Sequence, residues 1–144
     1  MVVIETATKD DVLRLLEIER EAISPPWSQD SLLSEICNGD TFFVTARFQG
    51  VIVGFAVLRK MGDDGELLQI DVGKDARRSG VADALMTDVM QYAKDSGLKA
   101  VFLEVRESNA AAIALYKKHG ADVVHSRKSY YNEPIEDALI MRLS

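Results

Sequence analysis

Two stretches of this chain combine residue types whose chemistry goes beyond packing. In Ile70-Asp71-Val72-Gly73-Lys74-Asp75-Ala76-Arg77-Arg78-Ser79-Gly80-Val81-Ala82-Asp83, a β-rich run passes through a short loop into a helical run that opens at a glycine. Unpaired N–H groups at a helix start, with the positive end of the helix dipole, suit an anion such as a pyrophosphate. Gly80 permits close approach of a ligand to the backbone, and Ala82 is too small to obstruct it. The dinucleotide fingerprint Gly-x-Gly-x-x-Gly is absent. Gly73-Lys74 also lacks the preceding glycine and following Ser/Thr of a nucleotide-triphosphate loop. The same residues suit an ordinary strand–loop–helix corner with a solvated arginine pair.

The second stretch is Leu103-Glu104-Val105-Arg106-Glu107-Ser108-Asn109-Ala110-Ala111-Ala112-Ile113-Ala114-Leu115-Tyr116. In a strand, Leu103 and Val105 share one face, while Phe102, Glu104 and Arg106 share the other. An acid beside Phe102 that is partly desolvated, with a raised pKa, has what a general base requires. The plain alternative is a Glu104–Arg106 pair on an exposed face. Asn109 and Tyr116 lie two turns apart on one face of the next helix, where Tyr116 is either a proton donor or a packed aromatic.

These groups need a scaffold, and the pattern along the chain supplies one. Residues 1–5 read as a short strand. Thr8 and Asp11 have capping-box spacing, and Val12, Leu15, Leu16 and Ile18 make an amphipathic helix to about Ala22. Ser24-Pro25-Pro26-Trp27 breaks it, and Ser28 caps a second helix from Gln29 to about Cys37. Turns at Asn38-Gly39-Asp40, Gln49-Gly50 and Gly62–Gly65 separate strands Thr41–Arg47, Val51–Lys60 and Glu66–Val72. Val81, Leu85, Val89 and Ala93 form one helical stripe ending near Gly97. Lys99–Arg106 is a strand, Asn109–His119 a helix, and Ala121–Lys128 and Asp137–Leu143 are two closing strands. The order β α α β β β α β α β β specifies an α/β fold: a mixed, strongly twisted central sheet with helices on both faces, antiparallel first, then a parallel crossover over 66–106.

Composition narrows the setting. With 144 residues, 47% of them hydrophobic, the chain reads as one domain, residues 1–144, large enough to bury a core without staples. One Cys and two His leave no room for a disulfide or a structural zinc, so no metal is expected, and a reducing cytoplasm fits. No apolar run reaches the length of a membrane span, and acids near the N-terminus argue against a signal peptide. A net charge of −6 argues against nucleic acid as a direct partner and suits a cationic substrate. Cys37, beside Leu33 and Ile36, is not read as a nucleophile.

Together the two chemical stretches resemble the acetyl-CoA-binding motifs of the GCN5-related N-acetyltransferase (GNAT) superfamily. Arg77-Arg78-Ser79-Gly80-Val81-Ala82 matches its Gln/Arg-x-x-Gly-x-Gly/Ala signature. Leu103–Tyr116, Pro26-Trp27-Ser28, Tyr130-Tyr131 and Glu136–Met141 are most similar to the RimI-type ribosomal-protein alanine N-acetyltransferases. The resemblance implies the GNAT fold, with acetyl-CoA as donor and a protein N-terminus, that of a ribosomal small-subunit protein, as acceptor. It implies that Ile70 and Val72 lie against the thioester and pantetheine. Arg78, Ser79, Gly80, Val81, Ala82 and Asp83 cradle the pyrophosphate, and Asn109 bonds the pantetheine arm. By the same resemblance Glu104 is the general base, Tyr116 the general acid, and Tyr130 and Tyr131 grip the acceptor peptide. Three positions depart from the pattern: Asp71 stands where a small apolar residue is frequent, Gly73-Lys74 replaces Asp-Pro, and Ala121 replaces an aromatic. Asp71 bears on acceptor preference.

Acetyl transfer from a thioester needs a neutral amine, a stabilised oxyanion and a proton for the sulfur. An α-amine, with a pKa of about 8, meets the first condition far more readily than lysine at about 10.4. A backbone N–H at Val72, in a locally bulged strand, suits the oxyanion. Glu133, Glu136 and Asp137 beside the tyrosine pair suggest an acidic rim that attracts a basic N-terminal peptide. Two rival readings are acetylation of a small amine or lysine, and a non-catalytic acyl-CoA-binding subunit. Glu104 and Tyr116 together disfavour the second, since a binding module needs neither acid nor base.

Overall fold

In the computed structural model the chain runs β1 (Val3–Thr6), α1 (Val12–Arg20), α2 (Gln29–Ile36), β2 (Thr41–Phe48), β3 (Val51–Met61) and β4 (Asp64–Val72), followed by α3 (Val81–Asp95), β5 (Val101–Arg106), α4 (Ala110–Lys118), β6 (Asp122–Tyr131) and β7 (Glu136–Leu143). Residues 1–21, 26–132 and 134–144 are described. The expected helix break at Ser24-Pro25 and the acid Glu133 lie outside them. Element order matches the sequence reading, with single 3-10 turns added at Lys9–Asp11 and Lys74–Ala76. Asp11 accepts from the Thr8 backbone N–H at 2.8 Å, and Ser28 Oγ accepts from the Ser31 N–H at 3.1 Å, so both anticipated helix starts are held by side chains.

Several boundaries move for local reasons. Met61 pairs directly with Asp64, so Gly62-Asp63 alone makes the turn and β4 begins two residues before the expected Glu66. α1 runs to Arg20, the expected end at Ala22 lying outside the described residues, and Cys37 is the exposed cap after α2 rather than part of it. β6 continues to Tyr131, which places both tyrosines in a strand instead of a loop.

All strands join one sheet in the order β1-β2-β3-β4-β5-β7-β6. Its two faces carry separate cores. Leu85, Met86 and Val89 of α3 and Tyr116 of α4 pack with Ala56, Leu58, Leu67, Leu103, Val105 and Met141. Leu15 and Ile18 of α1 and Leu32 of α2 pack with Phe43, Phe55 and Val57 on the other side. Each such side chain, fully withdrawn from water, contributes roughly 1.5–3 kcal/mol.

One discontinuity in the sheet positions everything that follows. β4 and β5 pair in parallel only at Gly65↔Val101 and Glu66↔Phe102. Val57 pairs with Gln69 and Leu58 with Leu67, leaving Leu68 as an unpaired bulge on β4. A bulge bends its strand and raises the local twist, so β4 turns away from β5 beyond that point. The bulge sits at Leu68, four residues before Val72. Gly54 on β3 admits the start of α3 to this end of β4: a Cβ there would lie 2.9 Å from the Asp71 carbonyl oxygen and 3.1 Å from Val81 Cγ1.

Candidate active site

The gap between β4 and β5 is edged on one side by free backbone. Gly73 N–H donates to the Val53 carbonyl at 2.8 Å, and antiparallel ladders alternate. The amides of Ile70 and Val72 therefore point away from β3, toward the side β5 has left. After the turn at Lys74–Ala76, α3 opens at Gly80 with φ 84°, and Arg78 has φ 63°. Among the described residues no group accepts from the amides of Val81, Ala82 or Asp83; the first helical bond is Ala84 N–H to the Gly80 carbonyl at 3.1 Å. A Cβ on Gly80 would meet nothing within 4 Å. Free donors, a helix dipole and open space fit a pyrophosphate-bearing ligand such as CoA.

Side chains around this cradle are already engaged. The Ser79 hydroxyl donates to the Ala76 carbonyl. Asp83 accepts from His119 Nε2 and Lys118 Nζ, both at 3.0 Å, tying the first turn of α3 to the end of α4. Hydrogen bonds from Lys118 and His119 hold its carboxyl below the usual range. Asn109 caps α4 through Oδ1, which accepts from the Ala112 N–H at 3.2 Å, and its Nδ2 has no protein partner among the described residues. Arg77, which the plain strand–loop–helix alternative put in a solvated pair, donates to the carbonyls of Val72 and Glu21 at 3.2 Å each.

Leu103 and Val105 belong to the core under α3, so Glu104 projects from the opposite face, as the alternation predicted. Its carboxylate lies 3.8 Å from Arg127 Nη1, and its proximity pushes the Tyr130 phenol above the usual range. The alternative Glu104–Arg106 surface pair does not form. Arg106 is 8% exposed and donates to the carbonyls of Pro134 and Asn132 at 3.1 and 3.2 Å and to Glu136 at 3.3 Å, with Tyr131 stacked 4.3 Å away. It braces the β6–β7 turn.

That bracing engages Glu136 of the expected acidic rim, whose Glu133 lies outside the described residues. Glu136 also accepts from the Ser108 N–H at 2.7 Å, and Asp137 accepts from the Ser129 N–H at 2.9 Å. Glu136 is thus paired with Arg106, whereas Asp137 keeps its charge against a neutral N–H. Tyr130 and Tyr131 meet edge to face with centroids 5.1 Å apart; Tyr130 is 45% exposed, Tyr131 half-buried. Tyr116 is buried, and burial, then the charges of Asp71 and Tyr131, push its phenol well above the usual range. Those three groups thus converge on the gap.

The sequence reading did not anticipate a half-buried Asp71 beside a buried Glu19. Asp71 pairs in register with Phe55, which places its side chain on the face of α1. There it meets Glu19, 1% exposed, and burial followed by Glu19 pushes the Asp71 carboxyl up to about 8. The available signal is helical: Glu19 follows Leu15 by four residues and lies on the apolar face of α1. Unfolded, Asp71 ionises near 3.8; folded, it keeps its proton to about pH 8. The native state then binds more protons across that interval, so stability is highest at its acid end and falls as pH rises through it. The melting temperature of the wild type should drop between about pH 5 and pH 8 relative to that of Asp71→Asn, which lacks this linkage. Parallel melting curves across that range would rule out the retained proton.

Comparison with known proteins gives these features a context. Residues 11–121 match the model of the Acetyltransferase (GNAT) family. A ribosomal protein bS18-alanine N-acetyltransferase of Haemophilus ducreyi is 33% identical over 97% of this chain and 98% of its own length. The crystal structure of the ribosomal-protein-S18-alanine N-acetyltransferase of Escherichia coli superposes with a TM-score of 0.92 at 32% identity, covering 99% of this chain and 93% of that one. The fold is shared by a Thermoplasma acidophilum PaiA N-acetyltransferase in complex with coenzyme A, at TM-score 0.83 and 20% identity, over 99% and 98% of the two chains.

Proposed function

Because the chain belongs to the Acetyltransferase (GNAT) family, and is an acyltransferase of the GNAT fold, we propose that it acetylates the N-terminal alanine of ribosomal protein bS18 or a closely similar N-terminus. The observation that carries this acceptor is identity of 33% extending over 97% of the chain, across both sides of the gap, to an enzyme named for that reaction. Residues 1–144 act as one domain, in the cytoplasm, with neither nucleic acid nor membrane as a direct partner. Among the described residues no helix is long and apolar enough to cross a membrane.

Bound acetyl-CoA supplies the thioester. The amides from Arg78 to Asp83 hold its pyrophosphate, and Asn109 Nδ2 holds the pantetheine arm. The Val72 N–H, turned into the gap, donates to the acyl oxygen as negative charge develops there. Glu104, across the gap, takes a proton from the amine, directly or through one water. Tyr116 keeps its proton throughout the working pH range and donates it toward the sulfur. Tyr130 and Tyr131 contact the peptide. Each requirement of the transfer is met by a side chain or an amide, and no step is assigned to a metal. An N-terminus suits one carboxylate base, because roughly a tenth of α-amines are already neutral near pH 7.

Acetylation of a small amine is the second reading, favoured by one observation: Glu136 of the β6–β7 turn is paired with Arg106, which lowers the free charge a peptide would meet there. Turnover against peptides with varied first residues, read by mass spectrometry, separates the two. Alanine-first peptides should be preferred several-fold over other first residues and over free small amines. Tyr130→Ala should raise KM for the peptide about tenfold, the scale of one aromatic contact plus a hydrogen bond, with KM for acetyl-CoA unchanged. Equal use of peptides and simple amines, indifferent to Tyr130, would favour the small-amine enzyme.

A further inference from the structure

The side chain of Asp83 has no role in the steps above, although its N–H is one of the free amides at the start of α3. A carboxylate in the first turn suits a helix dipole, but at an anion site it opposes the ligand. Its neighbours offset that opposition. Asp83 Oδ1 accepts from Lys118 Nζ and from His119 Nε2, both at 3.0 Å. His119 is well packed, with its side chain 17% exposed and its backbone N–H donating to the Tyr116 carbonyl at 3.1 Å. Lys118 is different. Its side chain is 66% exposed, and its ammonium has three N–H donors, of which the contact to Asp83 uses one.

The carboxylate therefore tethers a cation on the α4 flank of the cradle, within a side chain's reach of the Val81, Ala82 and Asp83 amides. Neither neighbouring arginine fills that place. Arg77 has its guanidinium on the carbonyls of Val72 and Glu21, and Arg78 lies in the loop before Gly80. CoA carries a 3′-phosphate besides its diphosphate, so its charge far exceeds the roughly half a unit positive charge at a helix N-terminus.

We infer that Lys118 is a phosphate-binding residue for CoA, held in position by Asp83. The ammonium bridges the carboxylate and a phosphate oxygen that the α3 amides leave unbonded, and it favours donors that carry phosphate. The inference rests on the cradle being the acetyl-CoA site.

Lys118→Met keeps the length of the stem and removes the charge. In calorimetric titrations Kd for CoA should rise about tenfold, the scale of one charge-assisted hydrogen bond. Kd for pantetheine, which has no phosphate, should not change in an NMR titration. An equal rise for pantetheine is what lost packing predicts and overturns the inference, as does an unchanged Kd for CoA. Dephospho-CoA identifies the phosphate. A penalty that persists with it assigns Lys118 to the diphosphate, and one that vanishes assigns it to the 3′-phosphate. Lys117→Met removes the same charge from the exposed position next door and should shift Kd by about twofold at most, because separated surface charges are screened. A tenfold loss there as well would make the effect one of net charge and overturn the contact. Removing Lys118 also unmasks Asp83, whose bare charge repels the ligand, so the substitution is repeated in an Asp83→Asn background. A direct contact still costs several-fold there; a penalty that disappears belongs to Asp83 and overturns the inference. If the wild type binds no CoA, the acetyl-CoA reading falls together with this one, whereas wild-type binding that Lys118→Met leaves intact overturns this one alone.

Discussion

Replacing Glu104 by Gln should lower turnover at pH 7 by about a hundredfold or more, the usual scale for a positioned general base, with KM for acetyl-CoA little changed. The amide preserves side-chain volume while losing the basic oxygen, so the loss isolates proton acceptance. Its pH dependence identifies the cause. An α-amine with a pKa of about 8 is mostly protonated at pH 7 and mostly free at pH 9. The deficit should therefore shrink as pH rises and solvent takes over the first deprotonation. A partner in a surface ion pair behaves otherwise. Glu104 lies 3.8 Å from Arg127 with side chains 29% and 53% exposed, and such a pair is worth at most about 1 kcal/mol of stability. If Glu104→Gln turns over at the wild-type rate and only its melting temperature moves, the carboxylate belongs to that pair and the base is elsewhere.

The parts of this site that were legible in the sequence are those set by short-range pattern. Strand alternation placed Glu104 opposite Leu103 and Val105. The glycine opening of α3 marked the cradle, and helical spacing brought Asn109 and Tyr116 to one face. What the sequence left open depends on partners far apart along the chain. Arg106 stands two residues from Glu104 yet reaches Pro134 and Glu136, because the β6–β7 turn folds over its end of β5. The acids of that turn read as a free rim until Arg106 and Ser108 are seen to take up Glu136. Asp71 and Glu19 are 52 positions apart and meet only because register with Phe55 turns Asp71 toward α1. The bulge at Leu68 was anticipated as a feature of the strand but not in place, since it follows from pairing with β3 rather than from any residue in β4.

Substituting Val for Gly80 should abolish stabilisation by CoA while leaving the fold intact. Gly80 opens α3 with φ 84°, a conformation that costs an L-residue roughly 1–2 kcal/mol and a β-branched one more. The cost is conformational, since a Cβ at this position would meet no atom within 4 Å. Valine therefore relaxes toward negative φ, which rotates the first amides of α3 away from their common focus without disturbing the buried Val81, Leu85 and Val89 behind them. In the wild type, CoA at a hundredfold excess over Kd should contribute about 2.7 kcal/mol, a rise in melting temperature of about 5–10 °C for a domain of this size. In Gly80→Val the rise should vanish, while the ligand-free melting temperature falls by only a few degrees. Gly80→Ala, whose strain is smaller, should retain part of the response. A valine variant that responds to CoA as fully as the wild type would place the pyrophosphate elsewhere, because no other feature of the β4–α3 corner depends on this one backbone angle.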